Sequence, residues 1–289
     1  MSAHRLLSRL LPVLTSLLPV LFPVTAAAAN GSIYQPLAGF PTNVKSPEWN
    51  GLTLHSDGNL YGANSSFDNG PGLIFKIYPD GRVETVARLA HEDPDGVVRS
   101  INPSEQLEPD SAGRLWGISE KSLEPGWISS LFHFTPASGR YVEFTTYDAL
   151  PGATAPVYPR SNLIPDGQGN FLFLATMAAP AAGKFQTVLY RLEPLSGTFT
   201  KVGAAPSNEK EGWSFVADGE GFLWATSRGI PNAGMGSIFK INAVTGAHSW
   251  VTGFSGGEWS AERGAMPIEG LRPDGQGFLW GTTLSGGLD

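Results

Sequence analysis

LRPDGQGFLWG, residues 271–281, decides the fold: an apolar residue, a turn built on Asp274 and Gly277, then a short aromatic strand ending at Trp280 and Gly281. The same phrase stands at 107–117 (LEPDSAGRLWG) and 216–225 (VADGEGFLWA), and in looser form at 52–62 (LTLHSDGNLYG) and 163–173 (LIPDGQGNFLF). Its anchoring glycines, Gly58, Gly113, Gly169, Gly221 and Gly277, are spaced 55, 56, 52 and 56 residues apart. Self-similarity at a near-constant period fixes an architecture before any catalytic motif is sought, because each copy is a unit that buries its apolar faces only against its neighbours.

Working outward from the fourth copy, residues 213–217 read as a first strand and 222–226 as a second. The turn at 218–221 joins them; there glycine supplies a positive φ and Asp218 bonds the backbone ahead of it. After a loop at 227–236 comes a third strand, SIFKI (237–241), then a turn at 242–246 and a fourth strand rich in β-branched and aromatic residues at 247–254. Third strands recur as LIFKI (73–77), SLFHF (130–134) and VLYRL (188–192). Four-stranded antiparallel units stacked around an axis form a β-propeller. The expectation is therefore an all-β propeller of about five blades, with copies starting near residues 51, 106, 162, 214 and 270. The period exceeds the about 40–50 residues of common propeller blades. The excess is assigned to loops between second and third strands, such as 63–72 and 119–129. The fifth copy reaches Asp289 just after its second strand, so the last blade is expected to be incomplete. Residues 32–40 (SIYQPLAGF) read as an outer strand that closes the ring by pairing with that blade and covering its edge, which leaves the ring one strand short.

Residues 1–29 read as a secretory signal peptide: Arg5 and Arg9, an apolar run over 10–24, then small residues at 25–29. Pro12, Pro19 and Pro23 interrupt the run, which is shorter than the roughly 20 residues of a spanning helix. No membrane span is expected. Residues 30–289 form the propeller domain, exported to the periplasm, the cell surface or the exterior. The 36 glycines and 23 prolines suit many short strands joined by turns. The chain has no cysteine, which excludes disulfides, thiolate metal sites and Cys nucleophiles. A net charge of −7 without a basic stripe argues against nucleic acid as a partner.

The Gly-Leu start, the Asp-x-x-Gly turn, the LYG or LWGTT strand and the IFKI strand together resemble the GloVer repeat family, exported bacterial proteins with various C-terminal surface anchors. The matching pieces are Gly270-Leu271, Asp274 to Gly277 and Leu279 to Thr283, with Gly51-Leu52, Gly58 to Gly62 and Leu73 to Ile77. The second and third copies depart, with Ile118-Ser119 and Leu174-Ala175 in place of Thr-Thr. No anchor is visible in the sequence, which suggests a piece of a longer protein. The resemblance implies a propeller-like exported protein and no particular activity.

In a propeller the first strand of each blade lines the central channel. Two residues before the leading apolar residues Leu52, Leu107, Leu163, Phe215 and Leu271 stand Asn50, Glu105, Ser161, Trp213 and Glu269. Asn50, Glu105 and Glu269 offer oxygen ligands that, converging on one axis, suit Ca²⁺ or another hard divalent cation. Asn50-Gly51-Leu52 with Gly58 to Tyr61, and Glu269-Gly270, are similar to the gluconolactonase and regucalcin-like propellers. That resemblance implies a channel metal that polarises a lactone carbonyl or activates water. The Asp that ends a second strand in those proteins is replaced here by Asn64, Ser119 or Thr283. The competing reading of all three residues is ordinary hydrophilic strand starts.

Other motifs carry less. Asp110, Asp166, Asp218 and Asp274 are single carboxylates without the alternating ligands of a Ca²⁺ loop, so they read as turn residues. The histidines show no H-x-x-x-H or H-E-x-x-H spacing, and His133 and His248 are assigned to surface or edge positions on outer strands. Gly253 to Gly257 matches G-x-S-x-G, but a glycine-rich loop follows the serine where a nucleophile elbow needs a helix. Trp116, Trp224 and Trp280 share one position with Tyr61 and Leu172, as expected of blade-to-blade packing. Trp49, Trp127, Trp213, Trp250 and Trp259 fall outside that position; each read alone is a packing residue, and the alternative is that they, or the long loops, form an aromatic binding surface. The sequence therefore predicts a binding or surface-interaction module for an extracellular protein or carbohydrate, with no cofactor and no assigned catalytic residue. The alternative is a divalent-metal-dependent, lactonase-like hydrolase with Asn50, Glu105 and Glu269 in the channel.

Overall fold

The computed structural model describes residues 51–64, 72–92, 98–103, 106–123, 126–145, 150, 157–159, 161–178, 185–204, 215–227, 236–254, 264–267 and 270–285. The expected signal peptide, the closing strand at 32–40 and the serine of the G-x-S-x-G match lie outside them. The described residues hold β-strands and turns and no helix. Blade one comprises β1 (Thr53–Leu54), β2 (Leu60–Asn64), β3 (Gly72–Ile77) and β4 (Val83–Glu92). In blade two the innermost strand comes in two pieces, β5 (Val98–Pro103) and β6 (Glu108–Pro109). They are followed by β7 (Leu115–Leu123), β8 (Gly126–Thr135) and β9 (Arg140–Thr145). Blade three repeats this with β10 (Val157–Pro159), β11 (Ile164–Pro165), β12 (Phe171–Ala178), β13 (Phe185–Glu193) and β14 (Thr198–Ala204). Blade four has β15 (Phe215–Ala217), β16 (Phe222–Ser227), β17 (Ser237–Asn242) and β18 (His248–Gly253). Of blade five the described residues hold β19 (Ala265–Pro267) and β20 (Arg272–Pro273), paired with β22 (Thr283–Ser285) and β21 (Leu279–Trp280) respectively. Within each blade the strands pair antiparallel, β4 also pairs with β5 so that blades one and two share one sheet, and the fold is a β-propeller.

Two features differ from the sequence expectation. The polar stretch 119–129 is no loop in its larger part, because β7 and β8 run on as a long hairpin pairing Ser119 with Ser130 through Leu123 with Gly126. The innermost strands of blades two, three and five are broken four residues before the leading leucine. Pro103, Pro159 and Pro267 each end the first piece there, and proline gives the ladder no further N–H.

Successive strand residues face opposite sides of a sheet, so a blade between two others must be apolar on both. Blade three meets that demand. Phe171, Phe173 and Ala175 join Trp116, Ile118 and Leu131 of blade two, whereas Leu172 and Leu174 join Phe215, Leu223 and Ile241 of blade four. A third cluster binds blade one to blade two through Tyr61, Ile74, Leu107, Leu115 and Phe132. Close backbone approach serves the same end between blades three and four. A Cβ on Gly203 would fall 2.6 Å from the Gly246 Cα, so both positions require glycine.

Candidate functional site

The recurring turn is held by a single carboxylate. Asp218 Oδ1 accepts the backbone N–H groups of Glu220 (2.8 Å) and Phe222 (3.0 Å), and Oδ2 accepts the Trp224 indole N–H (3.0 Å). Asp110 does the same with Ala112 (2.9 Å), Arg114 (2.9 Å) and the Trp116 indole (2.8 Å), and also takes the Arg114 Nε–H at 2.6 Å. Asp274 repeats the pattern with Gln276, Phe278 and Trp280. Asp and Trp therefore recur together because one is the other's hydrogen-bond partner. Blade three has no tryptophan; there the Asn170 side chain donates to Asp166 Oδ2 at 2.9 Å and Arg191 lies 3.3 Å from it. In blade one the carboxylate shifts to Asp57, which accepts from Asn59, the Tyr61 hydroxyl (2.9 Å) and Lys76 (3.0 Å).

In blades one to four a basic residue of the third strand completes the unit. The ladder pairs Tyr61 with Lys76, Trp116 with His133, Leu172 with Arg191 and Trp224 with Lys240. Lys76 and Lys240 lie over the paired rings at 5.5 Å and 4.9 Å. His133 is thus not a surface residue: it is 8 % exposed and packs on Trp116 at 4.9 Å. Burial, and then the Arg114 charge, push its pKa down. Burial alone would raise Asp110, Asp166 and Asp218, but their hydrogen bonds outweigh it and hold all three below the usual carboxylate range. All these groups are spent on one another, so this end of the blades is structural.

The segments leading into the innermost strands were the predicted functional positions. Asn50, Glu105 and Glu269 lie outside the described residues. Their neighbours show what such positions do. Ser161, the blade-three counterpart, is wholly buried, and its hydroxyl accepts the Leu174 N–H at 2.8 Å. The next residue, Asn162, clamps the following blade: its Oδ1 accepts the Phe215 N–H at 3.1 Å and its Nδ2 donates to the Phe215 carbonyl at 3.2 Å. Gln106 reaches the Leu52 carbonyl of blade one at 3.4 Å, and the Thr53 hydroxyl donates to the Leu107 carbonyl. Part of this variable segment therefore joins blades at the axis. Among the described residues no group of three His, Asp or Glu side chains is placed to hold a metal ion.

Sequence reasoning missed Glu108. It stands on the innermost strand β6, in register with Trp116, where the other copies have Thr53, Ile164, Val216 and Arg272. Desolvation by burial pushes its carboxyl up to about 7. A lone acid at a position otherwise held by Thr, apolar residues or Arg is the signal that would have found it. Met266 is the only non-glycine residue with positive φ (55°) among the described residues, at the entry to the innermost strand of blade five.

The chain is similar to the solved structure of a Hadza microbial sialidase, Hz136. The TM-score is 0.56 and the identity 11 %, over 77 % of this chain and 49 % of that one. The chain thus spans about half the length of that protein. It also matches a thermostable family-43 glycoside hydrolase (TM-score 0.48, 10 % identity, 78 % of this chain and 79 % of that one). A third match is a Trypanosoma rangeli sialidase in complex with sialic acid (TM-score 0.47, 12 % identity, 80 % and 43 %). At such identities the likeness concerns the fold. No protein-family model matches the chain, and no curated protein matches it in sequence.

Proposed function

We propose that this chain is an exported propeller of the GloVer type that acts as a binding module for an extracellular protein or carbohydrate. The observation that carries the reading is the distribution of exposed apolar residues. Among the described residues, Leu52 and Leu54 on blade one, Leu195 on blade three, Val244, Trp250 and Val251 on blade four, and Phe278 and Trp280 on blade five are exposed, whereas Trp116, Phe132, Phe173 and Tyr190 of blades two and three are buried. Large apolar side chains left exposed are where an interaction surface would form. The recurring carboxylates and cations are engaged within their own blades, which leaves recognition to the residues that differ between blades.

A second reading, a divalent-metal-dependent lactonase-like hydrolase, draws support from Glu108. A carboxyl that titrates near neutrality on an innermost strand is suited to general acid–base work. It would act beside a cation held by Asn50, Glu105 and Glu269. Calorimetric Ca²⁺ titration together with a lactone panel separates the two. The binding reading expects neither cation binding nor turnover. Ca²⁺ binding with lactone hydrolysis, both lost in Glu105→Gln and Glu269→Gln, would establish the hydrolase instead.

A further inference from the structure

The face of blade two that meets blade three differs from its counterparts in one rank of side chains. The ladder sets Glu108, Trp116 and His133 side by side on β6, β7 and β8. Residues opposite one another on neighbouring strands share a face of the sheet. The same rank reads Thr53, Tyr61, Lys76 in blade one, Ile164, Leu172, Arg191 in blade three and Val216, Trp224, Lys240 in blade four. Blades one, three and four thus hold a permanent cation at the third position. It lies 3.0, 3.3 and 4.0 Å from the turn carboxylates Asp57, Asp166 and Asp218 respectively. Blade two places a histidine there.

In blade two another residue supplies the cation. Arg114 donates to Asp110 at 2.6 Å and stands 5.3 Å from the centre of the Trp116 ring. The same guanidinium donates to the Pro194 carbonyl of blade three at 2.7 Å, and Trp116 meets Phe171 of blade three at 6.4 Å. The joint is therefore built around an indole that already has its carboxylate and its cation. A proton on His133 would add a second positive charge 4.9 Å from that indole, on a buried side chain. Arg114 and Arg140 oppose the added charge and Asp110 favours it. Glu120 lies on the same face two ranks away. Blade three faces the site with Tyr190, inside the apolar cluster, and with Lys201, exposed and paired with Tyr190. Burial, and then Arg114, hold the His133 pKa below 6.5. The closed joint therefore binds fewer protons than an open one. Its histidine contribution is complete above pH 6.5 and is lost as the pH falls below that value.

We propose that the joint between blades two and three is an acid-sensitive latch. A neutral His133 packs on Trp116 and keeps blade two against blade three; protonation of its ring loosens that joint. The ranks of blades one, three and four carry Lys or Arg beside a carboxylate, so a proton finds nothing to change there. A histidine in a buried interface is a device suited to such a switch, because its charge changes close to neutrality. His55 bonds the Gly113 carbonyl and His248 the Gly246 carbonyl; both are common to every variant below and cancel in the comparison. The latch does not rest on the binding reading.

The test is amide hydrogen exchange of the full chain by mass spectrometry at about pH 7.5 and about pH 4.5, on either side of the ordinary histidine value. Rates are corrected for the intrinsic effect of pH. Peptides from residues 115–135 and 171–193 should exchange about tenfold faster in acid, and those from 222–242 less than about twofold faster. His133→Phe keeps a ring on Trp116 without a proton site and should remove the acceleration; His133→Gln is the second neutral variant. Glu108→Gln should keep it, because the Glu108 contribution is lost as pH rises, in the opposite direction. In the wild-type chain the NMR titration midpoint of His133 should coincide with the midpoint of the exchange change, a readout that needs no variant. No acceleration in the wild type, the same acceleration in the neutral variants, or separate midpoints would overturn the proposal. Equal acceleration over 222–242 would overturn it too, as acid unfolding of the whole chain.

Discussion

At the scale of the residue, one carboxylate per blade organises a turn, an indole and a cation. Its value depends on burial. Asp110 is the most enclosed, with its side chain 1 % exposed and Trp116 and Arg114 both donating to it. Asp110→Ala is expected to cost about 3 kcal/mol by chemical denaturation, because it strands a buried indole N–H and a guanidinium. Asp274→Ala should give the smallest shift of the series, since its bonds face water. Glu108 behaves oppositely with pH. Its pKa is raised in the folded chain from 4.5 to about 7, so the folded state holds the proton more tightly. Its contribution to stability is therefore complete below about pH 4.5 and lost as pH rises to 7. Glu108→Gln should remove that loss, stabilising the protein by on the order of 2–3 kcal/mol at pH 8 and by nothing at pH 4. Melting curves at the two pH values check it; equal shifts at both would contradict a desolvated carboxyl.

The element that matters is the pair of middle strands. Gly117 lets β7 lie under the Phe132 ring, so Gly117→Val should overpack the site and cost about 2 kcal/mol or more in denaturant unfolding. Blade three shows the alternative solution: Phe173 fills the place of the glycine and stacks on Tyr190 at 5.7 Å with an interplanar angle of 21°. The turns, the second strands and the third strands were legible in sequence because Asp, Gly and alternating apolar residues act locally. The hairpin extension of β7 and β8 was not. Ser119, Glu120, Lys121 and Ser122 have no strand preference of their own, and the cross-strand ladder holds them extended. His133 was misplaced for a related reason. Its burial comes from the facing Trp116, a partner visible only once LFHF is set in register with IFKI, where His takes the place of Lys.

At the scale of the whole molecule, the period predicted the propeller, and the described sheets agree. The functional face was the least legible part. Its proposed ligands Asn50, Glu105 and Glu269 vary between copies, so no periodicity speaks for them. Of the neighbouring residues, Asn162 and Gln106 fasten one blade to the next and Ser161 binds the second strand of its own blade. Variation there reflects blade-specific joints as well as any ligand chemistry. What distinguishes one sector from the rest is its unburied aromatic residues, Trp250 on blade four and Phe278 and Trp280 on blade five. The most direct measurement is binding of the full chain to arrays of immobilised glycans and extended peptides in the presence of EDTA. The account predicts saturable, cation-independent binding that Trp250→Ala or Trp280→Ala weakens at least tenfold. Absence of binding in EDTA, with lactone turnover restored by added Ca²⁺, would contradict it.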